Sequence, residues 1–492
     1  MSKIFMEEAR SIEVFDECDI LVVGGGAAGH SAAIAAARAG AKNIVLLERY
    51  GYMGGDVTGG YVIMVPNLTW LNQSYVRGLQ EEWFTRLSNI PGAVLGAEGD
   101  EIGSTDPDVI HKWEPIWDAV SRVEEVPKRV VRSVYFEPNQ LKIELDKMLL
   151  EEKENIRVYC HTWAAAPIVE NDAVKGVIFE SKEGRKAILA KVVIDATGDG
   201  DLFAQTKAPY AADSDADTRS TNTAMVFRVC NVDYEAFFRN NQKDPSAFGK
   251  IVGPLKGMLG HLIMPLPTQD PNMVWFNNWL GPFDCTKVKD LTATEMLVRD
   301  KIRDIIDFMR KNAVGFENAE LYDIAPQLGA RCSRRLQGEY VMTMSDFAFH
   351  REFDDVIAWH STICRINDSA PIEIPYRAIL PRGVENLLCP GRHISSDNVA
   401  IDWLNLIPQC VGTGQAAGVA AAVAVTDNST VHDVNIERVQ DILVEQDVPL
   451  PRHAGVDPAL TELCEEHKYG LYTKLAKLAA EDPEEFAKYR QP

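Results

Sequence analysis

Three glycines and one acid carry the first chemical signal. Gly24, Gly26 and Gly29 stand in G-x-G-x-x-G spacing, directly after the apolar run from 20 to 23. Ala27, Ala28 and an alanine-rich stretch follow, and Glu48 closes a second apolar run, 44 to 47. In this pattern Gly24 permits a tight turn, Gly26 lets the backbone approach a pyrophosphate, and Gly29 lets a helix pack closely on the strand. The start of that helix presents amide N–H groups and a partial positive charge to phosphates. An acid roughly 20 residues on is placed to hydrogen-bond a ribose hydroxyl. A bare glycine turn is the alternative, but it does not account for strand, helix and acid occurring together.

The elements that must hold these residues can be read from pattern. Residues 31–40 are strong helix formers, with Gly40 as a stop. A helix is expected over 141–150, and strands over 156–160, 173–179, 186–190 and 192–194. From about 205 to 375 the pattern is mixed, with short strands at 224–229 and 273–277 and one long amphipathic helix at about 292–311. A last apolar strand at 386–389 precedes a helix at 412–425, and a further helix is expected at 434–448. The tryptophans 70, 83, 113 and 117 fall in a stretch read as an insertion, where packing is the simpler role for them.

Composition removes several function classes. The chain has 492 residues, 46% of them apolar, and a formal net charge of -22. Its mean hydropathy is -0.14 and its pI is about 4.9. That balance disfavours nucleic acid and anionic membranes, both of which select basic patches. The nine cysteines are scattered without a C-x-x-C pair, which suits free thiols in a reducing, cytoplasmic setting. No zinc-like cluster, and hence no metal, is expected. No apolar stretch reaches the length of a membrane span, and the first ten residues do not read as a signal peptide.

Two further stretches complete the picture, Asp195-Ala196-Thr197-Gly198-Asp199-Gly200-Asp201 and Gly391-Arg392 with Gly414-Gln415-Ala416-Ala417-Gly418. With the G-x-G-x-x-G, Glu48-Arg49, Gly54-Gly55-x-x-Thr58, the 329–338 arginine segment and Ile374-Pro-Tyr-Arg377, the chain resembles the FAD-dependent oxidoreductases of the glutathione-reductase-like superfamily. Within that group it is similar to the family related to the flavoproteins of fumarate reductase and succinate dehydrogenase. The resemblance covers roughly 17 to 450. It implies an α/β fold: a Rossmann-like FAD-binding domain of glutathione-reductase type with an inserted α+β substrate domain. The expected division is FAD-binding parts at 1–65, 131–204 and 376–452, an insertion or lid at 66–130, a substrate domain at 205–375 and a helical tail at 453–492. The tail is either a surface appendage or an arm that joins a homo-oligomer.

The resemblance also implies roles. Gly24, Gly26, Ala27, Ala28, Gly29, Glu48, Arg49, Gly54, Gly55, Thr58, Ala196, Thr197, Gly198, Gly391, Arg392, Gly414, Gln415 and Ala416 are expected to bind FAD. The helix beginning at Gly412 would lie under the pyrimidine end of the flavin. Relatives that attach flavin covalently often carry a histidine near the Gly54-Gly55 loop. Here Asp56, Val57 and Thr58 stand there, so the FAD is expected to be non-covalent. His393, Asn398 and 402–405 depart from the family's usual residues, so the substrate of no relative carries over.

Only one dinucleotide fingerprint is present, so electrons should pass directly between an organic substrate and FAD, with oxygen, a quinone or a protein carrier as the other partner. His393 is the first candidate base, with Asp402 as base or orienter and Asn405 as a hydrogen-bonding group. Arg331 and Arg334 are candidate substrate anchors, or else ion pairs between domains, and Trp403 a candidate apolar wall. His350 and His360 are further candidates in that region. The leading reading is hydride removal from a sugar, polyol or other hydroxylated molecule. The alternatives are an enoate or ketone reductase of fumarate reductase type, and a non-catalytic flavoprotein subunit.

Overall fold

The computed structural model describes residues 4–66, 68–70, 73–74, 76–121, 128–212, 223–348, 351–360, 371–451 and 481–484. β1 (Glu13–Val23) ends in four fully buried apolar residues, the mark of a strand covered on both faces. Three glycines lead into α1 (Ala27–Arg38), whose alanines are buried almost throughout. Its start at Ala27 is four residues ahead of the expected boundary. β2 (Ile44–Glu48) is buried along its whole length. α2 (Leu79–Ser88) and α3 (Pro138–Glu151) follow. In α3 Pro138 occupies the first turn, where its missing N–H does no harm, and the Glu137 side chain accepts from the Asn139 amide.

β3 (Ile156–Cys160), β4 (Trp163–Glu170), β5 (Ala173–Ser181) and β6 (Gly184–Asp195) come next. The two strands expected at 186–190 and 192–194 are one long strand. β7 (Phe227–Cys230), α4 (Tyr234–Lys243), α5 (Pro245–Leu259), β8 (Leu262–Pro267), β9 (Met273–Trp279), α6 (Val288–Asn312) and β10 (Glu320–Ile324) form a second layer. β11 (Val356–His360) and β12 (Ile372–Pro375) pair with each other. β13 (Leu387–Leu388), α7 (Ile407–Asp427) and α8 (Ile436–Glu445) close the fold. The tail's expected role falls outside the described residues, apart from 481–484.

The main sheet has seven strands in the order β3-β2-β1-β6-β5-β4, with β13 also beside β6. β3, β2, β1, β6 and β13 run parallel, and β5 and β4 are antiparallel. Val23 lies opposite both Leu47 and Asp195. The carboxyl ends of β1, β2 and β6 therefore reach one edge together, where ligands of open α/β sheets bind. α1 and α7 lie side by side over this sheet and share its largest core.

The second sheet, β8-β9-β7-β10, is antiparallel. It packs against α5 and α6 around its own apolar core, which includes Phe227, Phe276, Ile302 and Phe316. Among the described residues no helix is long and apolar enough to cross a membrane.

Candidate functional site

A cleft, partly open to solvent, follows the carboxyl ends of β1, β2 and β6. Of the residues expected to bind the cofactor, Gly24, Gly26, Ala27, Ala28, Glu48, Arg49, Gly54, Gly55, Ala196, Thr197, Gly198, Gly391 and Arg392 all line it. Gly24 makes the turn with φ +98°, and a Cβ there would lie 2.5 Å from the Ala196 carbonyl oxygen. Gly26 faces open space, since an added Cβ would meet nothing closer than 4.0 Å. No side chain caps the start of α1, so its first amides are left for a phosphate.

One end of the cleft fits a ribose. Glu48 Oε2 accepts from the Gly25 amide at 2.6 Å and Oε1 from the Tyr50 amide at 2.8 Å. Burial outweighs these bonds and holds the carboxyl above its usual range. Two ribose hydroxyls would supply the donors it lacks. Beside it the Arg49 guanidinium lies 4.9 Å from the Tyr50 ring and 5.4 Å from Trp163. Trp163 sits on the cleft's rim, 54% exposed. Glycine turn, bare helix start and buried acid together fit a dinucleotide.

The opposite, inner end holds Asp56, Gln327, Arg392, Asn405, Ile407 and Cys410. Arg392 donates to Asp56 Oδ2 at 2.6 Å, to Asp199 Oδ1 at 2.8 Å, and to the carbonyls of Gly198 and Ala330, each at 2.8 Å. Burial works against its charge, and Asp199 and Asp56 more than offset that, raising its pKa. Burial would likewise raise Asp199, but Arg392 holds it below the usual carboxylate range. Asn405 Nδ2 donates to the Arg331 carbonyl at 3.2 Å. Burial pushes the Cys410 thiol up to about 12, so it stays protonated and unreactive.

Several expected site residues lie elsewhere. His393 has no exposure; its Nε2 is 3.0 Å from the Asp195 carbonyl oxygen and its ring stands edge-on to Phe203. It packs into the core behind the Asp195 turn, and burial lowers its pKa. Asp402 and Trp403 lie in the short helical turn Ile401–Leu404, and neither lines the cleft; Trp403 meets Phe347 edge-on at 5.1 Å. The Arg331 guanidinium lies 5.9 Å from the Trp279 ring. Arg334 bonds Asp201 Oδ1 at 3.0 Å and the Asp199 carbonyl at 2.9 Å, which is the ion-pair role. Thr58 bonds the Met53 carbonyl and shapes its own loop.

α7 begins at Ile407, not Gly412, so Ile407 and Cys410 reach the cleft in place of the glycines. Gly414 packs on Ala28, Gln415 accepts from the Leu79 amide at 3.2 Å, and Ala416 is core. Gly29 packs against Gly24. His360 is buried against Gly412, and His350 lies outside the described residues.

Residues that sequence reasoning missed are Tyr50, Trp163, Gln327 and Cys410. Cys410 alone carries a usable signal, standing just after Pro408 in the first turn of its helix. Among the described residues no group of three or more His, Cys, Asp or Glu side chains could hold a metal.

Comparison with known proteins gives the family of the chain. The family described as FAD dependent oxidoreductase matches residues 19–443. A urocanate reductase of Eggerthella lenta is 36% identical over 102 residues, which is 19% of this chain and 14% of that protein. A geranylgeranyl bacteriochlorophyll reductase-like protein of Thermoplasma acidophilum superposes with a TM-score of 0.44 at 15% identity, over 96% of this chain and 98% of that one. A p-nitrophenol 4-monooxygenase of Pseudomonas putida does so with a TM-score of 0.44 at 11% identity, over 97% of each chain. With its dinucleotide cleft and a family match across most of its length, the chain belongs to the FAD-dependent oxidoreductases, an enzyme whose cofactor is FAD.

Proposed function

We propose that this enzyme oxidises a small, uncharged hydroxylated molecule, such as a sugar, a polyol or a hydroxylated ring. The observation that carries the reading is that the guanidinium at the inner end of the cleft, Arg392, is already engaged. Arg392 is shared between Asp56 and Asp199, and Arg49 lies over Tyr50 and Trp163 at the ribose end. No other arginine lines the cleft among the described residues. A substrate carboxylate calls for an open, bidentate guanidinium. A hydroxyl calls for amides and a carboxylate, which the inner end offers in Gln327, Asn405 and Asp56.

Bound FAD supplies the hydride acceptor. The chain's part is to hold the cofactor, orient the substrate and take a proton. In this reading Glu48, Arg49 and the start of α1 hold the adenosine and phosphates. Asp56, which is paired with Arg392, accepts the substrate's hydroxyl proton. Asn405 is steadied through its Nδ2 and accepts from a second hydroxyl with its oxygen. His393 acts through the Asp195 turn as a support. Oxygen, a quinone or a protein carrier then receives the electrons. The motif order also supports a dinucleotide fold of glutathione-reductase type related to the fumarate reductase flavoproteins. The free described cysteines support a reducing, cytoplasmic setting.

A second reading, reduction of an enoate, is favoured by the short match to urocanate reductase. The engagement of Arg392 at the inner end counts against it. An anaerobic titration of the yellow protein separates the two. Bleaching of the flavin band by a neutral alcohol or polyol supports the first. No bleaching by any of them, with reoxidation of dithionite-reduced protein by an enoate, overturns it in favour of the second.

A further inference from the structure

Gln327 has one end of its amide in the cleft and the other outside it. Its Nε2 donates to Asp56 Oδ1 at 2.9 Å, and its Oε1 accepts from the Tyr52 hydroxyl at 3.0 Å. An amide has one donor end and one acceptor end. The Asp56 carboxylate takes the donor, which leaves the acceptor for Tyr52. Burial pushes the Tyr52 phenol well up, so it remains a donor at any working pH.

The Tyr52 ring itself is fixed. It lies parallel to Tyr50, with centroids 5.4 Å apart and 1° between planes, and the Lys142 ammonium is 4.6 Å from its centroid. Tyr50 lines the cleft together with Glu48 at the ribose end. Gly59 leaves the room this contact needs. A Cβ there would lie 2.5 Å from Gln327 Oε1 and 2.6 Å from the Tyr52 hydroxyl.

We propose that Tyr52 is the positioning residue of the inner end. Its hydroxyl fixes the Gln327 amide, which holds the Asp56 carboxylate toward the substrate, and its ring anchors this arrangement on Tyr50 at the ribose end. The role rests on the reading of Asp56 as proton acceptor given above. Without the hydroxyl, Gln327 Oε1 loses its partner, the amide is free to turn, and Asp56 keeps Arg392 alone. A carboxylate that shifts at the inner end also changes the energy of adding negative charge there, so the effect reaches the flavin's potential.

The test compares Tyr52→Phe, Gln327→Leu and the double variant as holoenzymes. Two quantities are read, the midpoint potential of the bound flavin and the limiting rate of anaerobic flavin reduction by whichever alcohol bleaches the wild type. Tyr52→Phe should retain FAD, move the potential in the same direction as Gln327→Leu, and slow reduction about tenfold with half-saturation unchanged. In the Gln327→Leu background it should change neither quantity further. Gly59→Ala, which wedges the pair apart without removing either group, should shift the potential as Tyr52→Phe does, and it serves alone if Tyr52→Phe does not fold. An unchanged potential, or additive effects in the double variant, overturns the proposal. If no alcohol reduces the wild-type flavin, the reading of the reaction fails, and the potentials still decide the role of Tyr52.

Discussion

Gly414 passes so close to Ala28 that a methyl group on it would lie 2.2 Å from the Ala28 carbonyl oxygen. One turn on, Gly418 repeats the contact at Ala32. The two helices that share the main core therefore touch backbone to backbone, and neither can yield. Gly414→Ala should cost roughly 1–3 kcal/mol or more, the range for overpacking a tight contact. Because Ala28 lines the cleft, bound FAD should fall as well. Thermal melts and the ratio of flavin to protein absorbance check both.

Removing the charge of Arg392 leaves Asp56 and Asp199 facing each other without their shared partner. Arg392→Met should destabilise the protein by about 3–5 kcal/mol, as when one member of a buried ion pair is lost. Arg392→Lys should recover part of this, since one ammonium cannot reach two carboxylates and two carbonyls at once. Urea midpoints of the two variants test the order.

Glu48→Gln removes the acceptor pair that meets Gly25 and Tyr50. The amide can accept at one end only, so one backbone N–H loses its partner. FAD affinity should fall by about 1–3 kcal/mol. Titration of the FAD-free protein, followed by quenching of flavin fluorescence, measures the change.

Acid should weaken the fold through two histidines. Burial lowers His30 and His360 from 6.5 to about 4. Unfolded chains bind these protons near pH 6.5 and the folded protein only near pH 4, so the stabilisation is complete above 6.5 and is lost as pH falls toward 4. The loss should reach roughly 3 kcal/mol per histidine at pH 4. Neither ring nitrogen of His360 has a hydrogen-bond partner, so His360→Leu should be close to neutral at pH 7.5 and should reduce the difference in urea midpoint between pH 7.5 and pH 4.5.

The dinucleotide half of the site was legible because each part is local. A turn needing positive φ at Gly24, a helix start and an acid at a strand end are all set within a few residues. The inner end is legible only in part, through Arg392 and Asn405, which line it. Arg392 and His393 are neighbours on one turn, yet one points into the cleft and the other into the core, and only tertiary packing decides which. Gln327 comes from a loop with no periodicity, and it matters only because Tyr52 and Asp56 are brought to it by another segment. β4 hid behind three alanines and Pro167, which a strand tolerates at a sheet edge. The start of α7 was placed late because its glycines looked like a ligand turn, when they are the seam against α1.

β13 is two residues long, but it arrives beside β6 only after the first 386 residues have been made. On the ribosome, β1, β2 and β6 are complete long before Arg392 and α7 exist, so the emerging chain has the phosphate turn without the inner end. FAD can therefore be held in full only once Arg392 and α7 have been made, when pairings between residues hundreds of positions apart form. Cells short of flavin should then accumulate this chain as a late, protease-sensitive intermediate that lacks only its final closure.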